Sequence, residues 1–122
     1  MAEKLDLWGE LAPADMRTPV SLLREQAALL GEKTGYVVVA RVETTPRSGF
    51  FNHRLILVAA ALGDYEYELL KIRHGVDLYP VTDARTGEEM EDEELFLEWL
   101  HQQLTSPATV KVVGNLVALA NP

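Results

Sequence analysis

Two cap-plus-proline pairs, Thr18-Pro19 near the start of the chain and Ser106-Pro107 near its end, constrain the fold most. A hydroxyl before a proline is a strong helix start. The hydroxyl oxygen accepts a hydrogen bond from a free N–H of the first turn, and proline at the first helical position lacks only an N–H that would go unpaired. After Thr18-Pro19, apolar residues recur at Leu22, Leu23, Ala27, Leu29 and Leu30, with Gly31 or Gly35 placed to close the helix. After Ser106-Pro107, Val110, Val113, Leu116 and Val117 fit one helix face. Gly114-Asn115 leaves a small hairpin as the alternative there, and helix is preferred because the hairpin arms would be very short.

The residues between these pairs carry the strand signals. Tyr36 to Glu43 is rich in β-branched residues. Thr44 to Gly49, with Pro46 and Ser48-Gly49, reads as a turn or loop. Phe50–Leu62 and Tyr65–Arg73 read as a hairpin joined by Gly63-Asp64, with Leu62 opposite Tyr65, Ala60 opposite Tyr67 and Val58 opposite Leu69. Leu55, Leu57, Leu70 and Ile72 then begin a second apolar patch, so the sheet is expected to be partly covered on both faces. Leu78–Thr82, interrupted by Pro80, reads as an edge strand or extended loop. A second helix is expected from about Glu91 to Leu104, with Leu95, Phe96, Trp99 and Leu100 inward. The expected fold is α+β: an N-terminal helix, a three- or four-stranded antiparallel meander, and two C-terminal helices packed on one face. Residues 1–17 read as an N-terminal arm or short helix, with Leu5, Leu7, Trp8 and Leu11 forming a helical turn or a docking arm. Residues 18–122 read as one domain.

Some strings resemble a group of short bacterial proteins of unassigned function. They are Thr18-Pro19, Leu23-x-Glu25-Gln26-Ala27, Leu30-x-x-Lys33-Thr34, Asp77-Leu78-Tyr79-Pro80-Val81 and Phe96-Leu97-x-x-Leu100, followed by Ser106 to Leu119. The resemblance implies a single compact bacterial domain with a helical C-terminus, and it brings no catalytic residue, ligand or partner.

Charge is the second constraint. The chain has 122 residues, with 19 acids against 11 bases. Seven of those acids, Glu88, Glu89, Glu91, Asp92, Glu93, Glu94 and Glu98, fall within eleven residues that contain no base. Outside that stretch the balance is nearly neutral. As a solvated helix start the run needs no partner. As a steering surface it would serve a basic protein. Asp83–Glu94 has the length and end residues of a calcium loop, but Arg85, Gly87 and Glu88 occupy interior positions where ligands and the turn glycine belong. No metal or cofactor is therefore expected. Without cysteine, disulfides and thiolate chemistry are excluded. The absence of cysteine fits a reducing cytoplasm, the compartment expected, and the charged first residues argue against a signal peptide. The longest apolar run, Leu55–Leu62, is too short to span a membrane. The negative balance disfavours nucleic acid.

No nucleophile elbow, phosphate loop or zinc motif appears, so no catalytic residue is assigned. The segment holding Arg73, His74, Asp77 and Tyr79 gathers a base, an imidazole, a carboxylate and a phenol around Gly75, and it is the candidate ligand loop. Arg54 and Lys71 could form a basic patch with His53, against a polar surface balanced by Glu43, Glu66 and Glu68. The first functional expectation is a non-enzymatic protein-binding module, with an acidic immunity- or inhibitor-like protein acting on a basic partner as its specific form. A small-molecule-binding or hydrolytic domain using the Arg73–Tyr79 loop is the second. An oligomeric accessory subunit is the third, and self-association stays open.

Overall fold

The computed structural model describes residues 4–121. Helix α1 (Pro19–Lys33) is followed by strands β1 (Val39–Arg47), β2 (Phe50–Ala59), β3 (Tyr65–His74), β4 (Val81–Asp83) and β5 (Glu89–Met90). Helices α2 (Glu93–Thr105) and α3 (Pro107–Ala120) complete the chain. All strand pairings are antiparallel, and the sheet order β1-β2-β3-β4-β5 is the chain order. The α+β expectation holds, with a short fifth strand added.

The helix starts form as their sequences dictate. Thr18 accepts from the Ser21 N–H at 3.1 Å, and Ser106 accepts from the Thr109 N–H at 3.2 Å. The C-terminal segment is helical, which resolves the alternative at Gly114-Asn115. Leu95 departs from expectation. It lies 43% exposed on α2, while Phe96, Trp99 and Leu100 go into the core against Leu22 and Leu23 of α1 and Leu57 and Ile72 of the sheet.

The strands depart from expectation at their ends. β1 begins at Val39 rather than Tyr36, because Gly35 and Tyr36 take left-handed φ angles of 61° and 65° at the helix exit. It then continues through Pro46 to Arg47, where a loop was expected. An edge strand tolerates proline because one side of its ladder is unpaired. The turn is only Ser48-Gly49, with φ of 53° and 82°, the positive values a two-residue hairpin turn requires.

The β2–β3 tip is not a two-residue turn. Ala60–Leu62 winds into a 3₁₀ turn before Gly63 (φ 67°) and Asp64 (φ 58°), so Ala59 pairs with Tyr65, Leu57 with Tyr67 and Val58 with Glu66. Further down, the register shifts between Leu55 and Ile56, where β3 carries an extra residue. This bulge lets the consecutive residues Leu69 and Leu70 both reach the core.

The three helices pack against one face of the sheet, and Leu55, Leu57, Leu70 and Ile72 belong to that single core rather than to a second apolar patch. On the opposite face, Arg41 pairs with Glu43 (2.7 Å) and Glu66 (2.8 Å), and Arg54 pairs with Glu68 (3.1 Å) and Glu43. Three carboxylates thus hold the two guanidiniums, so Arg54 forms no net basic patch with Lys71 and His53. His53 alternates to the helix-covered side.

Candidate interaction surface

The residues expected to form a ligand loop do not converge. Arg73 lies exposed on the open sheet face, its guanidinium 5.9 Å from the centre of the Phe50 ring. His74, the next residue along β3, points to the other face and is buried. Asp77 is exposed, and its backbone carbonyl accepts from the Tyr79 N–H at 2.9 Å. Tyr79 turns beneath the N-terminal segment, where its hydroxyl donates to the Arg17 carbonyl at 2.9 Å and its ring meets Phe96 edge-on.

The partner of His74 is His53, which lies on β2, outside the expected loop. Their rings stack with centroids 4.9 Å apart, and the two Nε2 atoms are 2.8 Å apart. The Gly75 carbonyl, 2.7 Å from His74 Nδ1, can only accept, so His74 carries its proton on Nδ1. In neutral rings Nε2 of His74 then accepts from Nε2–H of His53. Nδ1 of His53 in turn accepts from the Thr44 hydroxyl at 2.8 Å. Burial, helped by His74 and by Arg24, pushes the His53 imidazole down to about 4. Every ring nitrogen is used internally. The pair is a polar joint between β2 and β3, with no nitrogen left to abstract a proton from a substrate. In the observed register His53 pairs with Ile72 and Phe51 with His74, so the two imidazoles are diagonal neighbours across β2 and β3.

The acidic stretch divides by role. Asp92 caps α2, accepting from the Leu95 N–H at 2.9 Å. Glu93 is half-buried and faces Arg17: its Oε1 accepts from the Arg17 backbone N–H at 3.0 Å, and its Oε2 lies 3.4 Å from the guanidinium. Glu88, Glu89, Glu91, Glu94 and Glu98 are exposed, and among the described residues none of them forms an ion pair. Asp83, where the calcium-like spacing begins, is buried and accepts from the Arg85 N–H at 2.9 Å, closing a tight turn.

Arg17 ties this stretch to the N-terminal arm. Its backbone is held from both sides, by Glu93 through its N–H and by Tyr79 through its carbonyl. Its side chain also reaches Glu25 at 3.7 Å. Burial, followed by the field of Glu93, pushes the Tyr79 phenol up to about 12, so it remains a donor at neutral pH. From this clasp residues 4–16 lead away without helix or strand. Leu5, Leu7, Trp8 and Leu11 are between 76% and 83% exposed, with Asp6, Glu10 and Asp15 interspersed. No helical turn forms at Leu5, Leu7, Trp8 and Leu11.

No family model, curated protein or solved structure matches the chain.

Proposed function

We propose that the chain is a non-enzymatic protein-binding module that engages a basic partner through its N-terminal arm and the acidic start of α2 acting as one surface. The observation that carries this reading is the clasp at Arg17. It fastens the root of an arm bearing four unburied large apolar side chains to Glu93, in the middle of the chain's densest run of carboxylates. Large apolar side chains gain most when a partner pocket removes them from water, and tryptophan is among the residues most often dominant at interfaces. Carboxylates around the anchor chiefly raise the association rate and select a basic partner. The matching surface is an apolar pocket ringed by lysine and arginine. A protein that neutralises a basic partner, in the manner of an immunity protein, has this layout.

The experiment is affinity capture from the native cell with the full chain, followed by kinetics with the captured, purified partner. W8A/L11A is expected to weaken binding by at least about tenfold through faster dissociation. E91K/E94K is expected to slow association and to flatten its salt dependence. Unchanged affinity in W8A/L11A refutes the arm as anchor, and unchanged association in E91K/E94K refutes the acidic component.

A further inference from the structure

Between α1 and the α2–α3 corner the helices leave a cleft of about 340 Å³ over the sheet. Its floor is apolar, formed by Ala40 of β1, Leu57 of β2 and Leu69 of β3, and Leu30 and Leu104 form facing walls. Among its polar lining residues, Lys33 on α1 and His101 on α2 are both exposed. No carboxylate among the described residues lines this cleft. Among the described residues neither Lys33 nor His101 forms an ion pair. A largely apolar lining with a few polar groups is the usual form of a small-ligand site, and this volume lies within the usual range.

The geometry points to a binding site for a small amphipathic anion, an alkyl chain ending in a carboxylate. The alkyl part would lie on Ala40 and Leu69, above the fully buried Leu57, and the head would meet the Lys33 ammonium and an N–H of His101. At roughly 30 Å³ for each water-sized group, the cleft holds about eleven non-hydrogen atoms, close to a medium-chain fatty acid. The absence of lining acids sets the sign. A cationic amphiphile of the same length would bring its charge to Lys33 with no carboxylate to receive it.

Octanoate is the probe, with octanol and octyltrimethylammonium as its neutral and cationic counterparts. Each is titrated into the full chain below its micelle threshold and followed by backbone amide shifts. The expected result is saturable one-to-one binding of octanoate, with shifts at Leu57 and Leu104, at least about tenfold tighter than the cation. K33E should remove that preference while changing octanol affinity by less than about twofold. T105W, at the exposed mouth, should weaken both octanoate and octanol. Both substituted positions are exposed, so the fold is retained. Equal affinity for anion and cation, or no saturable shift at Leu57 and Leu104, overturns the proposal. Shifts at those amides caused by W8A and not by octanoate would assign the cleft to the arm and also overturn it.

Discussion

Thr44, His53 and His74 form a chain of hydrogen bonds with one direction: hydroxyl to imidazole, imidazole to imidazole, imidazole to the Gly75 carbonyl. Turning the Thr44 hydroxyl would leave room for a proton on His53 Nδ1, so geometry does not forbid uptake. Burial opposes the charge, and Arg24 from α1 and His74 from β3 add to that opposition. The sign for stability follows from where the protons bind. An unfolded histidine titrates near pH 6.5, whereas the folded His53 does so at about 4, so in that window the unfolded chain holds more protons. The contribution is complete above pH 6.5, is lost as pH falls towards 4, and changes no further below that. Between pH 7 and pH 5, before most carboxylates titrate, about 2 kcal/mol should disappear from the unfolding free energy. Urea unfolding at the two pH values measures the loss, and H53Q should flatten it. An equal loss in H53Q would place the titration elsewhere. The pair escaped the sequence-based expectation because its members lie 21 residues apart, and only a strand register brings them together.

At the scale of elements, the helices were legible and the strand ends were not. Helix starts depend on neighbouring residues, so Thr18-Pro19 and Ser106-Pro107 declare them locally. Ser106 serves two elements. It ends α2 and starts α3, and Thr109 ties the corner by donating from its hydroxyl to the Gln103 carbonyl at 2.7 Å. S106A should lower stability by about 1 kcal/mol, read as a shift in urea midpoint with unchanged slope, and S106D should recover most of it. Strand register depends on what the turn does. Ala60–Leu62 can continue β2 or wind into a 3₁₀ turn, and side-chain alternation alone does not choose. The bulge that admits Leu69 beside Leu70 is equally hidden, because it answers to the needs of the core. Pro46 misled for a related reason: its effect depends on whether the strand lies at an edge, which is a property of the assembled sheet.

The whole molecule separates the parts that hold it together from those left unused. One face of the sheet carries the core and the other a lattice of paired arginines and glutamates, while the arm with its four exposed large apolar side chains is tied through Arg17 to the acidic start of α2. The candidate surface was half legible. The acidic run and the apolar arm were both visible in the sequence, but their connection through Glu93 and Tyr79 spans more than sixty residues and needed the fold. Because the arm's anchors touch little else, W8A/L11A should leave the thermal midpoint within about 2 °C of the parent while weakening binding of the proposed partner, since exposed substitutions are usually worth under about 0.5 kcal/mol. A large drop in midpoint would mean that the arm is part of the core.

The order of the strands has one more consequence. A sheet can be extended only at its two ends, and here the ends differ. β5 is two residues long and runs almost directly into α2, so it offers almost no backbone to pair with. β1 is nine residues long, with one ladder side bonded to β2 and the other unpaired among the described residues. Pro46 removes a donor from its far part, and Arg41 and Glu43 place charge along the rest, devices that discourage indiscriminate pairing. Growth of this sheet is therefore one-directional: a sixth strand, from another molecule, would add along Val39–Glu43 and run antiparallel or parallel to it by main-chain hydrogen bonds alone.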